Sequence, residues 1–278
     1  MNNQIVIFCV LLLSILFYIF FGKRKQPWIL KYRFKQDVWG PFDIPDEYRI
    51  NTPLPISEFY IYQESEDNDL GTYPINTKQG ALQTIFSSGN GPGVAYEWKS
   101  HLNGDNPLEK WFISKLGTIL NKIKRIYAGK SADEVKLRIS SNPWNFHSHF
   151  DCVDNYAVQV YGRKDILLWD RNNIPSDYPE ERLLKNLSIL NNAQTKVLLE
   201  RIGINTIHWK TNQGDLFYIP QEWYHKISSI NTTRASILLN YNVEGNNVGK
   251  CKKDFRHFWR KQSKKCMESA FKKKRINQ

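Results

Sequence analysis

The feature that most constrains this chain is a series of short apolar runs in its second half. Each run contains β-branched or aromatic residues and is bounded by turn residues such as glycine, proline, asparagine and aspartate. Many short strands separated by turns are typical of a sandwich or a barrel. The runs cover residues 135–140, 147–151, 155–162, 164–170, 205–211, 214–220, 224–230 and 234–243.

Helices are expected beside these strands. Residues 107–128 carry apolar side chains at helical spacing, which predicts a helix packed on one side of the domain. Residues 179–202 predict a helical insertion between two strands, and residues 59–63 an early strand. Residues 22–50 are basic, aromatic and interrupted by prolines, which is typical of a linker. The expected fold class is mainly β with flanking helices.

The N-terminus predicts one transmembrane helix. Residues 5–21 carry no charge and, at about 1.5 Å per residue, reach the lower limit for a membrane span. Lys23, Arg24 and Lys25 follow, so the positive-inside rule places the rest of the chain in the cytosol. The alternatives are a cleaved signal peptide, which needs a basic start, and a buried core helix. We predict a single-pass membrane protein whose main body is cytosolic.

Charge and cysteine content add two expectations. The formal net charge is +12, and residues 250–278 hold twelve lysines and arginines against two acidic residues, so the basicity belongs to a tail. This tail is expected to pack on the domain or to contact anionic lipid or RNA.

The cysteines form no C-x-x-C pair, which argues against a disulfide framework or a zinc site and favours a reducing compartment. They are Cys9, Cys152, Cys251 and Cys266.

These features divide the chain into five predicted parts. No internal repeat is visible, and no feature of the sequence specifies an oligomeric state. The parts are a transmembrane anchor (5–21), a basic linker (22–50), an N-terminal flanking region of the domain (51–104), the barrel (105–245) and a basic amphipathic C-terminal tail (246–278).

The segment 149–164, HFDCVDNYAVQVYGRK, begins with polar residues although it otherwise resembles a buried strand. His149 and Asp151 alternate along it, so both side chains point to the same face. His225, in GDLFYIPQEWYHKI, opens a later strand and is a candidate third ligand from the opposite sheet. Two histidines and one carboxylate form a facial triad that suits Fe(II) and leaves coordination positions open. His147 shares the face of His149 and is a weaker alternative ligand.

Other residues offer groups for an organic cosubstrate of such a metal ion. Lys164 follows Gly162 and opens the strand next to the metal strand. Its ammonium group is a candidate partner for the far carboxylate of an anion such as 2-oxoglutarate. Asn155 and Asn240, on neighbouring strands, are candidate amide donors or acceptors for the same molecule.

The order of these motifs resembles the JmjC family of Fe(II)/2-oxoglutarate oxygenases. The similarity is to its cupin-like hydroxylase branch, which includes asparaginyl hydroxylases and tRNA wybutosine hydroxylases. It covers about residues 105–245 and is sharpest in the two quoted blocks. The run D-N-x(3)-Q-V-x-G-R-K at 154–164 is most similar to the wybutosine hydroxylases. The resemblance implies a double-stranded β-helix, that is, a jelly-roll, cupin-like JmjC barrel.

Carried onto this sequence, the resemblance also implies roles for single residues. It implies Lys164 as the partner of the distal carboxylate of 2-oxoglutarate. Several relatives have a threonine or serine three residues before the first histidine, where this chain has Phe146. Ser140, Ser141 or a tyrosine is then expected to supply that contact. The implied iron ligands are His149, Asp151 and His225, and the implied residues beside the proximal end of the cosubstrate are Asn155 and Asn240.

The implied function is an Fe(II)- and 2-oxoglutarate-dependent dioxygenase that hydroxylates a protein side chain. It becomes a demethylase where the hydroxylated carbon is an N-methyl group. One alternative is a hydroxylase of a tRNA base, which the closest motif and the basic tail favour. Another is a jelly-roll scaffold or nucleic-acid-binding protein without turnover. The expected partners are a protein or RNA substrate and, through the N-terminal anchor, a membrane.

Overall fold

The structure is a computed structural model with eleven strands and five α-helices among the residues it describes. It describes residues 25–34, 39–40, 43–60, 76–87, 94–126, 134–141, 148–188, 190–229, 235–244 and 251. The strands are β1 (Trp28–Leu30), β2 (Leu54–Tyr60), β3 (Asn76–Lys78), β4 (Val94–Ser100), β5 (Glu134–Ser141), β6 (Val153–Tyr161), β7 (Lys164–Asp170), β8 (Thr206–Lys210), β9 (Leu216–Ile219), β10 (Trp223–Ser229) and β11 (Ala235–Glu244). The helices are α1 (Asp46–Asn51), α2 (Ala81–Ser87), α3 (Pro107–Ile126), α4 (Glu180–Ser188) and α5 (Asn192–Arg201).

The strands form two antiparallel sheets that face each other. The larger sheet has the order β1-β9-β6-β11-β5-β4-β2-β3, and the smaller one has the order β10-β7-β8. An apolar cluster with members from both sheets fills part of the space between them, because alternate side chains of each strand point inward. Its buried members are Ala157, Ile166, Leu168, Phe217, Ile219, Trp223 and Leu238.

Helix α3 covers the outer face of the larger sheet. It begins at Pro107, and the backbone N–H of Glu109 donates a 2.9 Å hydrogen bond to the side chain of Asn106, which caps the first turn. Its apolar residues recur every three or four positions and share a cluster with the outward residues of β5 and β11. These helical residues are Leu108, Phe112, Leu116, Ile119 and Ile123.

Helices α4 and α5 cover the outer face of the smaller sheet. Leu183 and Leu187 of α4 pack with Trp169 of β7 and Tyr224 of β10 in a second cluster. Lys226, the residue after the candidate ligand His225, points into this layer and donates a 2.9 Å hydrogen bond to the carbonyl oxygen of Leu187. The smaller sheet is therefore held between helices on one side and the cavity on the other.

The β part of the fold prediction is confirmed, and the register of the sheets explains its differences. Seven of the eight predicted runs coincide with β5 to β11 to within a few residues. The run 147–151 does not form a full strand, since in its described part His149 makes only an isolated bridge with His225. Strand β1 pairs with β9, so part of the segment predicted as a linker (22–50) belongs to the larger sheet. The domain boundaries otherwise stay predictions.

The transmembrane part of the fold prediction is wrong for the described chain. No helix in the described part of the chain is both long and apolar enough to cross a membrane. The segment 5–21, on which that prediction rested, lies outside the described residues, as does the tail 246–278 apart from Cys251. The predicted single-pass membrane localisation is corrected with it, because it depended on that helix alone.

The prediction that the cysteines form no disulfide is also wrong. Cys152 and Cys251 form a disulfide, with their Cα atoms 5.5 Å apart and a sequence separation of 99. Both are buried beside the helices of the second cluster. Spacing along the chain could not indicate this pair, because only the fold brings the segment after β11 next to the residue that follows Asp151.

Candidate metal centre

Three side chains that could bind one metal ion meet between the two sheets. The candidate ligand atoms of His149, Asp151 and His225 all lie within 4.8 Å of one another. The Nε2 atom of His225 is 3.6 Å from Oδ2 of Asp151, and the two imidazole rings are 4.1 Å apart between centroids. The structure thus brings together the three residues that the sequence singled out. Their role as metal ligands stays a prediction.

Backbone hydrogen bonds fix the positions of these side chains. His149 and His225 exchange two N–H···O=C bonds, of 3.1 and 2.7 Å, and this bridge sets the two rings side by side. The carbonyl oxygen of Asp151 accepts a 2.9 Å bond from the N–H of Glu222, in the turn before β10. Segment 149–151 is therefore hydrogen-bonded to the beginning of β10, although it is not a strand itself.

Hydrogen bonds of the side chains orient the ligand atoms. The Nδ1 atom of His225 lies 3.1 Å from the carbonyl oxygen of Trp223, which can only accept, so Nδ1 carries the proton and Nε2 is left for a metal ion. Asn155 donates a 2.7 Å hydrogen bond from Nδ2 to Oδ2 of Asp151. Outer hydrogen bonds of this kind hold metal ligands in one orientation.

The protonation of the three side chains suits a divalent cation. Burial lowers the pKa of His225, which favours the neutral imidazole. For Asp151, burial alone would raise the pKa, but His149, His225, Arg138 and the hydrogen bond from Asn155 together outweigh burial and lower the pKa to about 2. A carboxylate and two imidazoles are ligands that Fe(II) accepts in an open facial site. The residues therefore fit the metal ion that the sequence predicts.

The three residues line one cavity together with Lys164. This cavity has about 550 Å³ of space, its open mouth included. Lys164 is 3% exposed, and its Nζ atom donates hydrogen bonds to the hydroxyl oxygens of Ser140 (3.0 Å) and Ser229 (3.2 Å). Burial lowers the pKa of Lys164 to about 7. A buried ammonium group beside a candidate metal centre is an anion-binding group.

The two predicted asparagines differ in their surroundings. Asn155 and Asn240 both line the cavity, on the adjacent strands β6 and β11. The amide of Asn155 is bonded to Asp151. The buried Oδ1 atom of Asn240 accepts no hydrogen bond from any described residue, so it is open to a ligand. Their roles in cosubstrate binding stay predictions.

Sequence reasoning missed two charged residues of this cavity, Glu97 of β4 and Arg138 of β5. The alternation of β5 could have indicated Arg138, which shares a face with Ser140. Glu97 could not be found in this way, since the sequence does not reveal that β4 pairs with β5. Phe146 and His147 lie outside the described residues.

One protein-family match covers the residues of this site. The cupin-like domain family matches residues 98–247, a range that includes all three candidate ligands and Lys164. This match confirms the family resemblance that the two motif blocks predicted.

Two curated proteins are similar to parts of the chain. The tRNA wybutosine-synthesizing protein 5 of Gallus gallus is 29% identical over 93 residues, which are 34% of this chain and 29% of that protein. The lysine-specific demethylase JMJ31 of Arabidopsis thaliana is 24% identical over 204 residues, which are 69% of this chain and 36% of that protein. The chain thus spans about a third of the length of the curated relatives it matches.

Solved structures of one bacterial protein are also similar. The X-ray structure of E. coli ycfD has a TM-score of 0.49 at 11% identity and covers 83% of this chain and 53% of that one. The structure of YcfD, a ribosomal oxygenase from Escherichia coli in complex with cobalt and succinic acid, has a TM-score of 0.45 at 12% identity. The matched residues are 83% of this chain and 51% of the YcfD chain.

Proposed function

This chain belongs to the cupin-like domain family, and from that premise we propose that it is an Fe(II)- and 2-oxoglutarate-dependent oxygenase. The observation that carries the proposal is the cavity that His149, Asp151 and His225 share with the buried ammonium group of Lys164. When bound, ferrous iron and 2-oxoglutarate would supply the oxidation of a substrate C–H bond by O₂, coupled to decarboxylation of 2-oxoglutarate to succinate and CO₂. The residues of this chain hold the ion and orient the cosubstrate.

The charge of the cavity supports a dianionic cosubstrate. When Lys164 is protonated, the charged groups that line the cavity cancel, the histidines aside. They are the cations Arg138 and Lys164 and the carboxylates of Glu97 and Asp151. A divalent metal ion would then leave two positive charges in the cavity. A dianion such as 2-oxoglutarate neutralises them, whereas a monoanion would leave one charge uncompensated.

We propose that His149, Asp151 and His225 bind the iron and that Lys164 binds the distal carboxylate of 2-oxoglutarate. The side-chain bond from Asn155 to Asp151 supports a role in holding that ligand in place. The open Oδ1 atom of Asn240 supports a contact near the proximal end of the cosubstrate. Ser140 and Ser229, which accept hydrogen bonds from Lys164, are our candidates for the cosubstrate contact that several relatives make with a threonine or serine at the position of Phe146.

The proposed substrate is a protein side chain, which is hydroxylated, or demethylated where the oxidised carbon is an N-methyl group.

A tRNA base is the second candidate, and basic residues beside the cavity favour it. Lys99 of β4 pairs across the strands with Arg138, and Lys136 lies two residues along β5 on the same face. Arg138, burial and Lys136 all lower the pKa of Lys99, as expected where cations are held together. Such a cluster suits an anionic substrate.

A turnover assay tests the proposal. The full chain is loaded anaerobically with Fe²⁺, supplied with 2-oxoglutarate and O₂, and succinate is measured with and without total tRNA or a protein extract. The expected result is succinate formation that one of the two substrate pools stimulates. Failure to form succinate in the wild-type protein, with iron bound, would support the alternative of a jelly-roll scaffold without turnover.

A further inference from the structure

Glu97 and Arg138 are the two charged residues of the cavity that the metal centre and Lys164 leave unexplained. In the pairing of β4 with β5, Glu97 lies opposite Ser140, whose hydroxyl oxygen accepts a hydrogen bond from Lys164. Arg138 is two residues before Ser140 on the same strand and so points to the same face. Both charged side chains therefore belong to the cavity wall around Lys164.

The side chains of Glu97 and Arg138 do not form a hydrogen bond with each other. The Nη1 atom of Arg138 is 3.9 Å from Oε1 of Glu97, which is longer than a hydrogen bond. Glu97 is 4% exposed, and its Oε1 atom accepts no hydrogen bond from any described residue. The Nε atom of Arg138 likewise donates none within the described chain. Buried polar atoms left in this way destabilise a fold unless a ligand or solvent completes their hydrogen bonds.

The charge of Arg138 affects the pKa values of two other residues of the cavity, Lys164 and Asp151. Burial is the main cause of the lowered pKa of Lys164, Glu97 opposes the lowering, and Arg138 adds to it. Arg138 also contributes to the low pKa of Asp151, after the effects of burial, His149 and His225. Its guanidinium group therefore lies within electrostatic reach of both the candidate cosubstrate anchor and the metal centre.

We propose that Arg138 is a second cationic contact for the distal carboxylate of 2-oxoglutarate, shared with Lys164, and that Glu97 holds the guanidinium group in place. The inference rests on the proposed function. A guanidinium group binds a carboxylate through two parallel N–H···O bonds, whereas an ammonium group acts as a point charge. Two cations near one another repel until an anion lies between them. The carboxylate of Glu97 offsets part of that repulsion before the anion binds.

Affinity measurements on the full chain test the role of Arg138. The protein is loaded with Fe²⁺ without oxygen, and binding of 2-oxoglutarate and of 2-oxobutyrate, which lacks the distal carboxylate, is measured by calorimetry. Arg138→Gln is expected to weaken 2-oxoglutarate about tenfold or more, the loss of a charged hydrogen-bonded pair. It should leave 2-oxobutyrate binding and iron content unchanged. Arg138→Lys should recover part of the loss.

Arg163→Gln is the matched control, since Arg163 precedes Lys164 in the sequence but does not line the cavity. It should bind both ligands as the wild type does. Equal loss of both ligands in Arg138→Gln, or no loss, would overturn the assignment. If Arg138→Gln does not fold, the two affinities are measured on Arg138→Lys, which should bind 2-oxoglutarate more weakly than the wild type and 2-oxobutyrate equally well. Failure of the proposed function is distinct, because the wild type itself would then bind no iron or no 2-oxoglutarate.

Glu97→Gln tests whether Glu97 holds the guanidinium group of Arg138 in place or only repels the anion. The substitution keeps the shape of the side chain and removes its charge. If Glu97 holds the guanidinium group, 2-oxoglutarate binds several-fold more weakly to the variant, and Arg138→Gln in the same chain adds little. If Glu97 only repels the anion, the variant binds it more tightly, which would contradict the holding role. Iron content in the variant should equal that of the wild type.

Discussion

Asn155 donates a 2.7 Å hydrogen bond to Oδ2 of Asp151, the same carboxylate oxygen that lies 3.6 Å from Nε2 of His225. The bond links β6 to the segment 149–151, which no full strand holds in place. A ligand carboxylate that is fixed in this way does not have to be ordered when the metal ion binds. The amide of Asn155 is thus an outer support of the candidate metal centre.

Asn155→Ala is therefore expected to weaken Fe²⁺ binding about 10- to 100-fold, the usual cost of removing an outer partner of a metal ligand. Anaerobic titration of the apo-protein with Fe²⁺ measures the effect. Asn192→Ala is the control, because Asn192 is also buried but bonds the backbone of Asp165 instead. Unchanged iron affinity together with weaker 2-oxoglutarate binding in Asn155→Ala would mean that the amide serves the cosubstrate alone.

Lys164→Ala is expected to weaken 2-oxoglutarate about 10- to 100-fold while iron stays bound. The ammonium group is buried and held by two serine hydroxyls, so its loss removes a charge-assisted contact that water cannot replace. Calorimetry on the Fe²⁺-loaded protein measures it. Lys210→Ala, at an exposed lysine of β8, should behave as the wild type. Equal affinities in wild type and Lys164→Ala would remove this lysine from the site.

The affinity for 2-oxoglutarate should depend on pH through Lys164. Burial lowers the pKa of this group to about 7 in the absence of an anion, so it is protonated below that pH and neutral above it. The anion binds the protonated form. Affinity should be highest below about pH 7 and fall by up to about tenfold per pH unit above it, until the pKa of the complex is reached. Lys164→Ala should lose this dependence, and an equally steep profile in that variant would assign it to another group.

Reduction should destabilise the protein through the Cys152–Cys251 disulfide. The bond closes a loop of about a hundred residues, and restricting such a loop in the unfolded chain stabilises a fold by on the order of 4 kcal/mol. Thermal unfolding with and without a dithiol should differ by several degrees. The double variant Cys152→Ala/Cys251→Ala should be insensitive to the reductant. A wild-type melting temperature that reductant does not change would contradict the pairing.

The strands and the candidate ligands could be predicted because their signals are local. The alternation of His149 with Asp151 sets a shared face, and Gly162, with a φ of 77°, allows the tight turn that starts β7 at Lys164. The partners of these residues could not be predicted in the same way. The contact of Glu97 with the cavity depends on the pairing of β4 with β5, and the disulfide depends on where the chain goes after β11. Both are properties of the folded chain rather than of any short segment.

The most direct test is the metal content of the full chain after exposure to Fe²⁺ without oxygen and removal of unbound ion. We predict about one iron per chain in the wild type and in His208→Ala, whose histidine lies on β8 and pairs with Asp165 outside the cavity. The variant in which His149, Asp151 and His225 are all replaced by alanine should retain none. A folded wild-type protein that binds no iron, or a triple variant that binds as much as the wild type, would contradict the account.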